Sequence, residues 1–192
     1  SVAVYVRPGD YLQLLVENQA RIGYGTVMQD DKKGILSNVT LDGKTLTSWQ
    51  HQRLPLNNGS TLERISKNLI LGQTQNSTFK SEIWETIVTT RGKASFWYGE
   101  ITLPCLEPNR TLDTFLSLKG WRKGVAFVNG VNIGRYWPDV GPQVTLYVPG
   151  PFLKPCDDGA NTVVLFELEK TPCLSGDSEA CSVEFVDTHV LN

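Results

Sequence analysis

The clearest structural signal in this sequence is the stretch Gly120-Trp121-Arg122-Lys123-Gly124-Val125-Ala126-Phe127-Val128-Asn129-Gly130-Val131-Asn132-Ile133-Gly134-Arg135-Tyr136-Trp137, in which an Asn-Gly pair joins two apolar runs. Asn-Gly suits a type I′ turn, because both central residues of that turn need a positive φ and its twist matches that of a β-hairpin. Gly134, within the returning run, allows another backbone to approach closely. The stretch predicts a hairpin in a β-sandwich.

Short apolar runs separated by turn residues continue on both sides of this hairpin. Arg7-Pro8-Gly9-Asp10 predicts a turn between strands at 2–6 and 11–17, and Asp42-Gly43 predicts a second hairpin between 35–41 and 45–49. No stretch shows sustained helical periodicity. Further strands are predicted at residues 96–103, 114–118, 124–128, 133–137, 144–148, 162–168 and 182–186. We expect an all-β protein, a jelly-roll sandwich with an extra N-terminal set of strands.

The composition changes sharply after residue 56. Residues 57–82 are rich in Asn, Ser, Thr, Lys and Gln and poor in β-branched apolar residues, which predicts a long loop or an excursion between sheets. The expected division is therefore N-terminal strands at 1–56, a polar excursion at 57–95 and a C-terminal jelly-roll domain at 96–192. Whether residues 1–56 close a first β domain or open a second one stays open.

The charge pattern and hydropathy exclude two classes of partner. The net charge is −2, and Lys and Arg are scattered singly rather than forming a basic stripe, which argues against nucleic acid. No apolar run approaches the roughly 20 residues needed to cross a bilayer, and the first residues do not have the pattern of a signal peptide. We expect a soluble chain with no nucleic-acid or membrane partner.

The four cysteines form an even set, and the last two enclose a polar loop. This spacing predicts a local Cys173–Cys181 disulfide, which leaves Cys105 to pair with Cys156, one of three possible connectivities. A zinc site is disfavoured because there is no C-x-x-C and neither His51 nor His189 has ligand spacing with a cysteine. We expect no bound metal and no cofactor.

Sequons for N-glycosylation are dense for this length. Together with the paired cysteines they favour the secretory pathway, ending outside the cell or in the lysosome. The predicted acceptors are Asn38, Asn58, Asn76 and Asn109.

The stretch at 120–137, with Gly141-Pro142-Gln143-Val144-Thr145-Leu146-Tyr147-Val148-Pro149 and the strand at 161–168, resembles the C-terminal jelly-roll region of the family 35 β-galactosidases of animals. The resemblance extends upstream to segments 9–18, 21–25 and 34–41 and downstream to Cys173 and 181–187, and it is weakest at 57–95. In that family a β/α barrel carries the chemistry and two β domains follow it. The resemblance therefore implies the non-catalytic end of a retaining glycoside hydrolase.

No catalytic residue is predicted. A retaining glycosidase needs two carboxylates about 5 Å apart, and the family's pair lies in the barrel. Acidic residues near strand ends are usually solvated or paired with a neighbouring Lys or Arg; here they are Glu17, Asp139, Glu167, Glu169 and Asp187. Serine-nucleophile and phosphate-loop motifs are absent.

A sugar site is the one binding constellation that the residues suggest, because aromatic faces stack on galactose while polar groups reach its hydroxyls. The favoured reading is structural, with the aromatic rings packing the sandwich and Arg135 paired internally. The candidate sugar-binding residues are Trp121, Asn132, Arg135, Tyr136, Trp137 and Asp139.

Two hypotheses of function follow. The first is an accessory part of a β-galactosidase that docks on the catalytic chain and stabilises it; a chain without that partner would expose apolar surface. The alternative is a free-standing secreted lectin that binds galactose-containing glycans through the same jelly roll. Homo-oligomerisation is compatible with either.

Overall fold

The computed structural model describes residues 3–28, 30–57, 59–71, 80–89, 92–105, 110–175 and 181–192. It divides into two compact units, Ala3–Leu54 and Pro55–Asn192. We call the first the N-terminal unit and the second the sandwich unit.

The N-terminal unit contains one short hairpin. Strand β1 (Thr40–Leu41) pairs with β2 (Lys44–Thr45) in antiparallel orientation. Between them Asp42 and Gly43 have φ values of 47° and 79°, as the Asp-Gly pair predicts for a type I′ turn. The hairpin is confirmed, but each of its strands has two residues and is shorter than expected.

The first expected hairpin of this unit is wrong in its strands and right in its turn. The backbone N–H of Asp10 donates to the Arg7 carbonyl at 3.0 Å, and the Arg7 N–H donates to the Asp10 carboxylate at 2.7 Å. No strand flanks this turn within residues 3–20. An isolated two-stranded hairpin is marginal in water, so alternating apolar residues form strands only where a further strand pairs with them.

The sandwich unit carries two antiparallel sheets, which confirms the all-β class. The three-stranded sheet has the order β10-β5-β8, and the five-stranded sheet has the order β3-β4-β9-β6-β7. The strands are β3 (Lys80–Thr89), β4 (Gly92–Ile101), β5 (Thr114–Ser117), β6 (Gly124–Val128), β7 (Val131–Tyr136), β8 (Thr145–Val148), β9 (Asn161–Glu167) and β10 (Glu184–Val186).

The inner faces of the two sheets enclose the core. Strands β6, β8 and β9 contribute alternate residues, so their apolar side chains repeat with period two, as expected of a sandwich. Trp97 and Trp121 meet edge to face at 5.8 Å between ring centroids. The buried members of this core are Trp97, Leu116, Leu118, Trp121, Ala126, Val128, Tyr136, Leu146, Val148, Leu153, Val163 and Leu165.

The loop expected at 57–82 is contradicted at residues 59–71 and 80–82, and residues 72–79 lie outside the described residues. Helix α1 (Gly59–Leu71) occupies its first part and β3 begins at Lys80, so the five-stranded sheet starts upstream of the strand expected at Phe96. Leu62 and Ile65, three residues apart, are buried on the face of α1 and give it a reason to fold against β3 and β4. The polar composition of the segment concealed these apolar positions.

Both disulfides and the turn between β6 and β7 confirm the predictions made from the sequence. Cys105 is joined to Cys156 and Cys173 to Cys181. Asn129 and Gly130, between β6 and β7, have φ values of 48° and 79°. A 3₁₀ helix follows β8 at Gly150–Phe152.

Candidate functional site

The edge strand β7 brings three candidate residues onto one face through a β-bulge. Asn132 lies opposite Phe127 and Arg135 lies opposite Val125, and the register shifts between these pairs. The bulge absorbs one extra residue of β7, so Asn132 and Arg135 share a face although they are three positions apart. Trp137, two residues beyond Arg135, follows on the same face by alternation.

Two cations lie close to the Trp137 ring. The Lys123 ammonium is 4.1 Å from the ring centroid and the Arg135 guanidinium carbon is 5.7 Å from it. Both distances are within the range of cation–π attraction. Asp139 is paired with Arg122 at 2.7 Å, so the nearest candidate carboxylate is already neutralised. Arg135, expected to pair internally, has an exposed side chain that contacts the Trp137 ring.

Trp121 and Tyr136, the other aromatic candidates, belong to the core. Each is only 2% exposed. The Trp121 indole N–H donates to the Ser182 carbonyl at 2.9 Å, and the Tyr136 hydroxyl donates to the Glu167 carboxylate at 3.1 Å. Neither offers a ring face to a sugar in this structure. Four of the six candidates, Asn132, Arg135, Trp137 and Asp139, remain near the surface.

Glu167, expected at a solvated strand end, is completely buried. Burial raises the pKa of its carboxyl, whereas the hydrogen bonds that it accepts act in the opposite direction. It lies at the end of β9, beside the first residues of β6. Its donors are the backbone N–H groups of Arg122, Lys123, Glu169 and Lys170, at 3.0, 3.2, 2.9 and 3.3 Å, and the Tyr136 hydroxyl.

The Glu167 carboxylate anchors the backbone from which the Lys123 side chain reaches Trp137. By accepting from two consecutive amides at the entry to β6, Glu167 fixes the point from which the Lys123 side chain extends to Trp137. Burial also raises the pKa of the Tyr136 hydroxyl, with the Glu167 charge as the second cause, so Tyr136 stays a donor. The burial of Glu167 could have been predicted from the sequence, since this residue stands between the apolar residues Phe166 and Leu168.

A second polar network holds the tip of the β6–β7 hairpin. The Asn129 side chain donates to the carbonyl of Phe152 at 2.7 Å and to the Asn161 amide oxygen at 2.8 Å, and it accepts from the Thr162 N–H at 2.9 Å. Asn161 is fully buried and exchanges two hydrogen bonds with the Lys154 backbone. Asn129 therefore serves both the turn and the packing of the hairpin.

Sequence reasoning missed an aromatic row on the outer face of the three-stranded sheet. Phe115 lies 5.6 Å from Tyr147 and 5.9 Å from His189 between ring centroids. The Tyr147 hydroxyl donates to Asp113 at 2.5 Å, and the Gly150 N–H donates to the same carboxylate at 2.8 Å. These hydrogen bonds hold the pKa of the Asp113 carboxyl below its usual value, and the bond from the Gly150 N–H has the larger effect. The alternation of the strand at 114–118 could have indicated this face.

Two properties of the described residues bear on other functions. In that part of the chain, no group of three or more His, Cys, Asp or Glu side chains is placed to hold a metal ion. The helix that the structure describes is too short and too polar to span a membrane.

One of the four predicted glycosylation sites can be placed. Asn38 is exposed, just before the β1–β2 hairpin. Its side chain is therefore accessible to a modifying enzyme. Asn58, Asn76 and Asn109 lie outside the described residues.

Comparison with known proteins assigns both units. Residues 1–56 match the family model of the β-galactosidase first all-beta domain, and residues 94–161 match that of the β-galactosidase galactose-binding domain. The β-galactosidase of Homo sapiens is 38% identical over 185 residues, covering 96% of this chain and 26% of the relative. β-Galactosidase 17 of Arabidopsis thaliana is 44% identical over 158 residues, covering 82% of this chain and 21% of the relative.

The chain thus spans about a quarter of the length of the animal relatives that it matches, which include the β-galactosidase of Macaca fascicularis, 38% identical over 96% of this chain. Both matched models describe β domains, and they agree with the strand content and the two antiparallel sheets of the sandwich unit. The chain therefore corresponds to the β-domain region of the β-galactosidases, a first all-β domain followed by a galactose-binding domain.

Proposed function

We propose that this chain is a non-catalytic accessory part of a β-galactosidase, which docks on the catalytic part and stabilises it while that part hydrolyses terminal β-galactose. The observation that carries the proposal is the apolar surface of the N-terminal unit. Within its described residues no side chain is buried. The large apolar side chains exposed there are Val4, Tyr5, Val6, Tyr11, Leu12, Leu14, Val16, Ile22, Tyr24, Val27, Met28, Ile35, Leu36 and Trp49.

Such a surface is far more apolar than a free-standing monomer usually presents. Tyr11, Leu12, Leu14 and Val16 come from a segment that alternates like a strand and lacks a strand partner in this structure. Strands from the rest of a β-galactosidase would pair with such a segment and cover its apolar face. The chain itself supplies no catalytic step in this proposal.

The first test is native mass spectrometry of the protein isolated from its source. We expect a larger chain with β-galactosidase activity to accompany it. A chain that runs alone, and that does not bind a separately expressed catalytic part, would contradict docking.

A matched pair of variants then locates the contact. Replacing both Tyr5 and Tyr24 by Ser in the N-terminal unit should weaken association with the catalytic part. The control, Val140→Ser, removes an exposed apolar side chain from the sandwich unit, where Val140 is 64% exposed. Equal association of the two variants would argue against the N-terminal unit as the docking surface.

A galactose-binding lectin is the second candidate, favoured by the self-sufficient sandwich unit. The galactose-binding match falls on residues 94–161, within a unit that has its own core and both disulfides. The expected result is saturable binding of galactose, and not of glucose, by titration calorimetry. Failure of galactose to bind would exclude this candidate without affecting the docking test.

The secretory route completes the proposal. Two disulfides form and persist in an oxidising compartment, which fits secretion or the lysosome. Removal of N-glycans from the natural protein should lower its mass, and Asn38→Gln should remove one of the glycans. A natural protein without any N-glycan would count against this route.

A further inference from the structure

We propose that the outward face of β7 around Arg135 and Trp137 binds an anionic group carried by a saccharide, a carboxylate or a sulfate ester. The saccharide half of this proposal rests on the galactose-binding candidate above. The anionic half rests on the geometry of the patch, which we define as Lys123, Asn132, Arg135 and Trp137.

Arg135 is the central group of this patch. Its side chain is exposed, and among the described residues it contacts the Trp137 ring without an ion pair or hydrogen bond to the protein. A guanidinium held beside an indole keeps its planar fork of donors available while losing part of its rotational freedom. That fork matches the two oxygens of a carboxylate or sulfate.

The other polar groups of the patch add a positive charge and a donor. Lys123 is only 7% exposed, and its ammonium adds positive charge beside the same ring, at 4.1 Å from the centroid. Asn132 uses its side-chain oxygen to accept the Gly134 N–H at 2.9 Å, which leaves its amide NH₂ as the outward group. A neutral sugar hydroxyl needs acceptors as well as donors, so a set made of donors favours an anion.

The bulge in β7 is what assembles this set. Asn132 and Arg135 lie opposite Phe127 and Val125, which are two residues apart on β6. Positions two apart on one face of a strand are separated by about 7 Å. A regular strand would send Asn132 and Arg135 to opposite faces, and bulges are common where a sheet re-aims a side chain next to a site.

The charge around the patch is consistent with an anionic ligand. Asp139, a carboxylate on the following loop, is held by Arg122 at 2.7 Å. Glu167 is buried and directed at backbone amides rather than at the patch. Neither of these carboxylates neutralises Arg135.

The test compares sugars that differ in one charged group. The full chain is titrated by calorimetry at low ionic strength with galactose, galacturonate, galactose 6-sulfate and inorganic sulfate. Both acidic sugars should bind at least about tenfold more tightly than galactose, since a hydrogen bond to a charged group contributes about 1.5 kcal/mol or more. The affinity should fall as salt is added.

Variants assign the binding to the patch. Arg135→Gln should lower the affinity for the acidic sugars at least about tenfold, and Arg135→Lys, which keeps the charge without the fork, should fall between that variant and the wild type. Lys44→Gln, which removes an exposed cation from the N-terminal unit, is the control and should leave binding unchanged. An unchanged unfolding midpoint of Arg135→Gln would show that a loss of binding is local.

Several results would overturn the proposal. The acidic sugars could fail to bind, or could bind no more tightly than galactose. Arg135→Gln could leave the affinity for the acidic sugars unchanged, or inorganic sulfate could bind as tightly as galactose 6-sulfate. Galactose binding without acidic preference would leave the lectin candidate standing, and the native-mass test of docking is independent of every result here.

Discussion

The two units of this chain place similar apolar residues in opposite environments. In the sandwich unit, Leu116, Val128 and Leu165 are completely buried between two sheets. In the N-terminal unit, Leu36, Val27 and Ile35 are more than half exposed, and no described side chain is buried. An alternating apolar sequence therefore forms a core only where enough strands are present to enclose its side chains. The sandwich unit has those strands, whereas the described part of the N-terminal unit has only the two short strands β1 and β2.

The largest expected effect comes from removing the Cys105–Cys156 disulfide of the sandwich unit. Replacing Cys105 and Cys156 by Ser opens a loop with a sequence separation of 51 residues. On the chain-entropy model this costs about 4 kcal/mol of unfolding free energy, against about 2.5 kcal/mol for the shorter Cys173–Cys181 loop. Denaturant unfolding of the two double variants checks the order, and a larger loss from the short loop would contradict it.

A pair of leucine truncations tests the contrast between the units directly. Leu165→Ala removes a side chain with 0% exposure, so we expect a loss of about 3 kcal/mol in unfolding free energy. Leu36→Ala removes one that is 66% exposed and should change the unfolding free energy by no more than about 0.5 kcal/mol. Urea unfolding monitored by Trp fluorescence measures both. Equal losses would show that the N-terminal unit has a core of its own.

A pair of tyrosine variants applies the same contrast to a hydrogen bond. Tyr136→Phe removes a buried donor to the Glu167 carboxylate, and hydrogen bonds to charged groups contribute about 1.5 to 3 kcal/mol. Tyr5→Phe removes a hydroxyl from a fully exposed ring and should have no measurable effect. Thermal unfolding of both variants decides the matter. A neutral Tyr136→Phe would mean that the four backbone amides alone satisfy Glu167.

Turn chemistry was the part of the fold that could be predicted most closely. Asn129-Gly130 and Asp42-Gly43 adopt the positive φ values that their residue types favour, because this preference is local to the turn. The strands near 124–128 and 162–168 were also predicted within a residue or two, since dense apolar runs between turn residues leave few alternatives.

Features set by distant partners could not be predicted in the same way. Strands at 2–6 and 11–17 were expected from alternation, yet pairing depends on a neighbour that local sequence does not reveal. Helix α1 was missed because the segment that contains it is polar in composition. At the candidate site, residue types pointed to Trp121 and Tyr136, whereas burial separates these core rings from the exposed Arg135.

The smallest expected effect is a pH dependence at the surface of the sandwich unit. Hydrogen bonds from Gly150 and Tyr147 hold the pKa of the Asp113 carboxyl below its usual value. A depressed native pKa means that the folded chain binds fewer protons than the unfolded chain near that pH, so the carboxylate stabilises the fold above the unfolded value of about 3.9. This contribution is lost as the pH falls through the native pKa.

Asp113→Asn should therefore be less stable than the wild type near neutral pH, and the difference should shrink below about pH 4. Tyr147→Phe removes one of the two hydrogen bonds and should move the titration of Asp113 back toward its usual value, which NMR of the side-chain carboxyl would follow. A stability difference that stays constant from pH 7 to pH 3 would show that the hydrogen bonds favour the protonated and ionised forms of Asp113 equally. In that case the ionised Asp113 carboxylate would add nothing to the stability of the sandwich unit.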